Sequence, residues 1–251
     1  MITDQGSGTR IDEIAAGIYR ICVPVNAIPG GFTFNHYLIV DDEPLLFHAG
    51  KRSLFTLVRG AISAVMPVDR LRHISFSHYE ADECGALNQF LGVAPAAAPL
   101  CGGLAARVSI DDIADRPARA LEDDEVVPLG RHSVRWISTP HFPHGWEAGL
   151  LMEETTATLF SSDLFTQGGA DHAPLTEADI LGPSEALRKR LDFYTYAPNT
   201  QAMIDKLAAT APKTMACMHG SAWRGDGAGL LRELGKRLNE RFVSPTPSSV
   251  H

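Results

Sequence analysis

The run Ile74-Ser75-Phe76-Ser77-His78-Tyr79-Glu80-Ala81-Asp82-Glu83-Cys84-Gly85 places one imidazole and three carboxylates between an apolar strand end and the start of a helical pattern. Loops at the carboxyl ends of strands are where α/β folds gather their chemistry. His78, Glu80 and Asp82 alternate, so an extended backbone would point all three to one side. Nitrogen and hard oxygen donors in such a set suit a first-row metal. A solvated acidic loop is the plain alternative.

Three later stretches supply partners of the same kind, each after an apolar run. Ser138-Thr139-Pro140-His141-Phe142-Pro143-His144 holds two histidines beside two prolines, and either imidazole could serve as a ligand. Leu159-Phe160-Ser161-Ser162-Asp163 sets one carboxylate among apolar neighbours, a costly placement without a cation or several donors. Met215-Ala216-Cys217-Met218-His219-Gly220 ends a strand in an imidazole followed by a residue free to turn. Together, His78, Glu80, Asp82, one of His141 and His144, Asp163 and His219 exceed what one mononuclear site needs. Two ions sharing a carboxylate, about 3.5–4 Å apart, would use them all. His36, His48, Tyr194 and Tyr196 are expected in the core or lining a pocket.

The elements that must carry these residues follow from pattern. Strands are expected over Ile11–Val25, Phe34–Val40, Leu45–Phe47 and Leu71–Phe76, with a helix over Ser53–Ser63 and another opening at Gly85. Ala94–Ala98 and Gly102-Gly103 read as small-residue linkers, and Arg116–Glu125 as a polar surface segment. A second set of strands is expected over Val126–Leu129, Ser133–Ser138, Ala148–Glu153, Ala157–Ser161 and Thr214–Met218. Helices are expected over Ser184–Tyr196, Asn199–Ala209 and Leu230–Phe242, the last with an apolar face of Leu230, Leu231, Leu234 and Leu238. Two runs of strands, each with helices, predict an α/β fold in four layers, an αββα sandwich. Residues 1–251 are expected to form one domain, any internal division falling near Leu100, with flexible tails at 1–10 and 244–251.

Composition narrows the class. A formal net charge of −8 argues against a nucleic-acid surface. No apolar run is long enough to span a membrane, and the polar, Gly-rich start lacks the features of a signal peptide, so a cytoplasmic location is expected. Cys22, Cys84, Cys101 and Cys217 form no C-x-x-C pair, which disfavours a thiolate zinc site, a dithiol redox motif or a disulfide framework.

Strand, H-x-E-x-D, T-P-H-x-P, F-S-x-D and a final H-G, in that order, resemble the metallo-β-lactamase fold superfamily. Glu80, where the hydrolases of that superfamily carry a second histidine, resembles the di-iron domain of the flavodiiron proteins, which reduce oxygen or nitric oxide. Gly31–Ile39 is similar to their G-x-T-x-N-x-Y-L-I strand, and His219–Arg224 to their H-G-x-x-W-R. The resemblance implies that His78, Glu80 and His141 hold one iron, that Asp82 and His219 hold the other, and that Asp163 bridges. His141 is preferred because a proline follows it as in the family's H-x-P. His144 is kept as a ligand or a supporting donor because its interval to Asp163 is the family's. Glu83 stands where the family has a histidine, a departure that adds a carboxylate and favours iron or manganese over zinc. Asp82 and Tyr194 are the residues put forward as catalytic, and Phe142, Trp146, Phe165 and Tyr194 as a shield against water.

No flavodoxin-like extension follows the metal domain, so no flavin is expected in this chain and an external electron donor is implied. The expected function is therefore binding or reduction of O2 or NO at two metal ions, iron before zinc or manganese. A metal-dependent hydrolase of an ester, lactone or phosphoester and a di-iron oxygen or redox sensor are the alternatives. The resemblance also makes a homodimer an expectation.

Overall fold

The computed structural model describes residues 1–243. The first sheet contains, in chain order, β1 (Ile2–Asp4), β2 (Thr9–Ala15), β3 (Ile18–Val25), β4 (Phe32–Ile39), β5 (Leu45–Phe47), β6 (His73–Ser75), β7 (Ala98–Gly102) and β8 (Arg119–Leu121). It is antiparallel up to the β4–β5 pair and parallel from β5 to β8. The second sheet is built from β9 (Val126–Pro128), β10 (Ser133–Ser138), β11 (Gly149–Glu153), β12 (Thr158–Ser162), β13 (Leu175–Thr176), β14 (Thr214–Cys217) and β15 (Ala222–Arg224), in the spatial order β13-β15-β14-β12-β11-β10-β9. The helices are α1 (Phe55–Ser63), α2 (Ala81–Cys84), α3 (Leu87–Val93), α4 (Gly103–Ala105), α5 (Asp111–Ile113), α6 (Leu181–Arg188), α7 (Thr200–Ala209) and α8 (Gly227–Val243), with a π-helical turn between α4 and α5.

Alternation along the strands separates three apolar layers. Leu38 and Leu46 face outward onto Val58 and Ile62 of α1 and Phe90 of α3. Their neighbours Tyr37, Ile39, Leu45 and Phe47 face inward and meet Trp136, Leu151 and Phe160 of the second sheet. Leu150, Met152 and Leu159 face the other way, onto Ile204 and Leu207 of α7 and Leu231, Leu234 and Leu238 of α8. The result is helix, sheet, sheet, helix: the four-layer αββα sandwich.

Several expectations are corrected. Residues 1–10 are not a loose lead, because β1 and β2 pair and the Met1 ammonium donates to Ile11 O at 2.8 Å and Asp12 Oδ1 at 2.9 Å. The single strand region expected over Ile11–Val25 is a hairpin turning at Gly17. The expected linkers at Ala94–Ala98 and Gly102-Gly103 flank and enter a largely buried strand, Ala98–Gly102; Gly102 is small because the Trp136 ring lies against it, and a Cβ there would come within 2.9 Å of the ring. Since β7 and β8 still belong to the first sheet, the passage between sheets falls between Leu121 and Val126 rather than near Leu100. The helix expected over Ser184–Tyr196 ends at Arg188, whose guanidinium holds both Glu185 and the Tyr196 hydroxyl, so the chain folds back. The expected tail at 244–251 lies outside the described residues. No helix among the described residues is long and apolar enough to cross a membrane.

Candidate metal centre

Strand polarity gathers the site. β10 and β12 each pair antiparallel with β11, and β14 is parallel to β12, so all three run the same way and their carboxyl ends share one edge. The loop after β6 meets that edge, where Gly149 N donates to Ser77 O at 2.9 Å.

The first loop is not extended throughout. Glu80 is extended at φ −134°, ψ 164°, and α2 begins at the next residue, so Asp82 and Glu83 stand in the first turn of a helix. A tight turn with Glu80 N bonded to His78 O at 3.1 Å, rather than strand alternation, brings the three donors together. His78 and Glu83 are buried, while Glu80 and Asp82 reach in from the rim.

The His141–His144 loop decides between its two imidazoles. His141 has a left-handed backbone at φ 69°, and its ring is exposed to solvent. Thr139 Oγ1 donates to Phe142 O and His141 N to Gly145 O, both at 2.8 Å, closing the loop so that His144 returns over the site. The His144 ring meets the His78 ring edge-on at 4.4 Å between centroids. The preference for His141 is therefore corrected: the structure brings His144 into the cluster and leaves His141 outside. Gly145, at φ 82°, is needed there, since a Cβ would sit 3.2 Å from His78 Cβ.

Asp163 is the hub. Its Oδ2 lies 3.2 Å from His144 Nε2 and 3.4 Å from His78 Nε2, whereas Oδ1 lies 3.1 Å from His219 Nε2. Glu80 Oε1 is 3.3 Å from His144 Nε2 and 3.7 Å from His78 Nε2. Glu83 Oε1 is 3.9 Å from His78 Nε2, and Asp82 Oδ2 is 3.7 Å from His219 Nε2. Each carboxylate oxygen of Asp163 thus addresses a different group of donors.

Two imidazoles have their far nitrogens held. Thr33 O accepts from His219 Nδ1–H at 2.7 Å, which leaves the Nε2 lone pair free. His78 Nδ1 is 2.9 Å from Ser77 Oγ, which also meets Ser162 Oγ at 2.6 Å and His48 Nε2 at 3.1 Å. His48 O in turn lies 2.9 Å from His36 Nδ1. His36 and His48 are thus core and support, as expected. Phe32 and Phe34 pack on the His219 ring, and Phe193 on that of His144. Ser77, Thr33, Phe32 and Phe193 escaped the sequence reading, although Thr33 lies in the recognised strand motif.

Charge and burial are in tension here. Burial would raise the Asp163 carboxyl, but the His144 and His219 rings hold it well below the usual carboxylate range. Burial would lower His144, yet Asp163 and Glu80 raise it to about 10. Glu83 is pushed well above its ordinary value by burial and then by Asp163, Asp82 and Glu80. His78 Nε2, both Glu83 oxygens and Asp163 Oδ1 are buried without hydrogen-bond partners. Lone pairs of this kind, aimed at a common space, fit bound cations. His78, His144 and Asp163 form one group with metal-holding spacing, and His78, Glu80 and Glu83 a second.

The remaining expected residues take other places. Tyr194 is buried, and its hydroxyl accepts the Phe165 N–H at 3.4 Å, with its ring against Phe142 and Phe193. Phe142 and Phe165 are buried, but Trp146 is 56% exposed and shields nothing. A largely apolar cavity of about 770 Å³ opens beside Asp82, between Phe32, Phe34, Lys51, Leu187 and Leu191.

Residues 32–220 match the sequence model of the family described as ODP family beta lactamase. The rubredoxin-oxygen oxidoreductase of Megalodesulfovibrio gigas is 26% identical over 208 residues, which cover 78% of this chain and 50% of that protein. The nitric oxide reductase of Moorella thermoacetica is 27% identical over 216 residues, covering 78% of this chain and 51% of that one. The chain spans about half the length of these curated relatives. Among solved structures, the Desulfovibrio gigas rubredoxin oxygen:oxidoreductase superposes with a TM-score of 0.81 at 21% identity, over 91% of this chain and 61% of that one. A metal-soaked flavodiiron core from Synechocystis gives 0.80 at 22%, over 93% and 62%. The structural likeness establishes the fold, and the family match spans most of the sequence: this chain belongs to the ODP family of metallo-β-lactamase-fold proteins, with flavodiiron proteins among its relatives.

Proposed function

We propose that this chain holds two metal ions, iron the expected metal, and binds or reduces O2 or NO with electrons from an external donor. The observation that carries this reading is the division of Asp163, whose Oδ2 faces His78 and His144 and whose Oδ1 faces His219. His78, Glu80 and His144 would hold one ion with Asp163 Oδ2. Asp82 and His219 would hold the other with Oδ1. Glu83 adds a buried oxygen donor beside His78. Two ferrous ions bound there would supply electrons and open coordination positions for a diatomic gas. Ser77 and Thr33 O fix the His78 and His219 rings, while Phe32 and Phe34 pack against the His219 ring and Phe193 against that of His144, keeping water from them. Asp82 lies on the open side, against the cavity. The names of the relatives, an oxygen oxidoreductase and a nitric oxide reductase, support the same chemistry.

The cavity favours one second reading. At about 770 Å³ with mostly apolar walls it would admit an organic molecule, as a metal-dependent hydrolase of an ester, lactone or phosphoester requires. The deciding experiment is metal analysis of protein expressed without added metal and purified without oxygen, followed by O2 and NO consumption with an artificial reductant. About two irons per chain and sustained uptake above the reductant alone are expected. Reversible spectral change without turnover would make the protein a sensor. Zinc with ester hydrolysis and no gas chemistry would overturn the oxidoreductase reading in favour of the hydrolase.

A further inference from the structure

Arg20 lies on β3 of the first sheet, is fully buried, and makes no ion pair with a carboxylate among the described residues. A buried guanidinium without a counter-charge is expensive, and an apolar side chain of similar volume would usually be as good or better for stability. Its one firm contact crosses the sandwich: Nη2 donates to the carbonyl of Gly220 at 2.7 Å. Asn35, on β4, donates its Nδ2 to the same carbonyl at 2.8 Å and to Cys217 O at 2.9 Å. The backbone N of Asn35 donates to Met218 O at 2.9 Å, and Tyr37 donates its hydroxyl to Cys217 O at 2.6 Å. Thr33 receives Gly220 N on its Oγ1 at 2.8 Å and the His219 ring on its carbonyl at 2.7 Å. Thr33, Asn35 and Tyr37 alternate along β4, and Arg20 is directly paired with Tyr37. All four therefore share the inner face of the first sheet and grip the turn after β14 of the second.

That turn needs gripping. Gly220 sits at φ 96°, a left-handed bend that suits glycine, and a Cβ there would come within 2.6 Å of Gln167; glycine's own freedom means that the bend has to be held by its neighbours. The bend sets the direction in which the His219 ring leaves the strand. Two donors converge on one carbonyl, and the charged one makes the shorter and stronger kind of hydrogen bond.

We infer that Arg20 and Asn35 are positioning residues for the His219 half of the centre: they anchor the Gly220 carbonyl across the sandwich and so aim the His219 imidazole, without touching the centre themselves. The inference rests on the dinuclear reading for its functional meaning, but the aiming itself is independent of any bound ion. It predicts an asymmetry. Loosening the clamp should weaken the site served by His219 and Asp82 and spare the site served by His78, Glu80 and His144.

Two measurements test it on the full chain. The first uses metal-free protein and nitrogen-15 NMR of the histidine rings. In the wild type, the His219 Nδ1–H is expected as a slowly exchanging signal, because Thr33 O accepts it. Arg20→Met should broaden or lose that signal while the His78 ring signals stay in place, and Arg20→Lys, which keeps a charged donor, should restore part of it. Should Arg20→Met fail to fold, Asn35→Ser carries the same test with a donor too short to reach both carbonyls. An unchanged His219 signal in folded Arg20→Met or Asn35→Ser protein overturns the inference. The second measurement is anaerobic titration with Fe(II) against a competing chelator. Arg20→Met should weaken one of two sites roughly 10–100-fold, as loss of a ligand's supporting partner does elsewhere. His219→Ala should affect the same site, and Arg20→Met should add little to it. Equal weakening of both sites overturns the inference. A wild type that binds no pair of ions, with the NMR result as expected, overturns the dinuclear reading and leaves the positioning role standing.

Discussion

His141 and His144 stand in one loop with the same side chain, and only His144 Nε2 comes within 3.3 Å of both Asp163 and Glu80. The difference is made by the left-handed backbone at His141, which turns its ring into solvent. Substitution should separate them cleanly. His144→Ala is expected to lose at least 10–100-fold in metal affinity, and His141→Ala to keep wild-type metal content with a stability change within about 0.5 kcal/mol. Metal analysis and a melting curve on each variant check both. Glu83 makes a second case at this scale. Its two oxygens are buried without hydrogen-bond partners, so in the metal-free chain they cost stability that a cation would restore. Glu83→Met should therefore stabilise the metal-free protein by about 1–3 kcal/mol and weaken metal retention. Urea unfolding of metal-free protein and chelator competition on loaded protein read the two effects separately, and a less stable metal-free variant would contradict the argument.

At the scale of the element, β4 carries side chains of opposite duty. Thr33, Asn35 and Tyr37 face the second sheet, while His36 points away beneath Gly50. Burial pushes the His36 imidazole down to about 4. It is neutral in the folded chain, and the unfolded chain binds the extra proton between about 4 and the ordinary 6.5. This contribution to stability is complete above about 6.5 and is lost as pH falls toward 4. His36→Gln should flatten the acid limb of a urea-midpoint profile by up to about 1.4 kcal/mol per pH unit. Equal slopes for the two proteins would show that His36 does not titrate this way. The same scale explains two misread elements. The small residues of Ala94–Ala98 and Gly102-Gly103 look like linkers, yet Ala98 and Gly102 are the two ends of a strand, and Gly102 is small because Trp136 occupies the space a side chain would need. The stretch after Arg188 keeps a helical pattern, but the bond from Arg188 to Tyr196 favours a fold-back that no local propensity encodes.

At the scale of the whole molecule, the centre draws on four loops and both sheets: His78 from the first sheet, and His144, Asp163 and His219 from the second. Ions bound there would tie the two halves of the sandwich together and favour only the folded state. Metal at 100 times its dissociation constant should add about 2.7 kcal/mol, or roughly 5–10 °C for a chain of this size. Differential scanning calorimetry before and after chelation measures the gain. The same comparison on His144→Ala should show most of it gone.

The sequence by itself determined which residue types could bind metal, that they follow apolar strands, and that two strand runs with helices make a layered α/β fold. Those features are local: periodicity, turn residues and donor chemistry are written in neighbouring positions. It marked Asp163 as a carboxylate among Leu159, Phe160 and Leu164 that needs a cation or several donors, with a helix N-cap as the competing role, and its hub geometry came only with the fold. Only the tertiary structure decided which of two histidines in one loop turns inward, because that depends on a single backbone angle and on the loop's closure against Gly145. Only the packing of one sheet on the other brought Thr33 O to the His219 ring and Arg20 and Asn35 to the Gly220 carbonyl beside it, since these residues lie some two hundred positions away in the chain and reach that turn by hydrogen bonds across the sandwich.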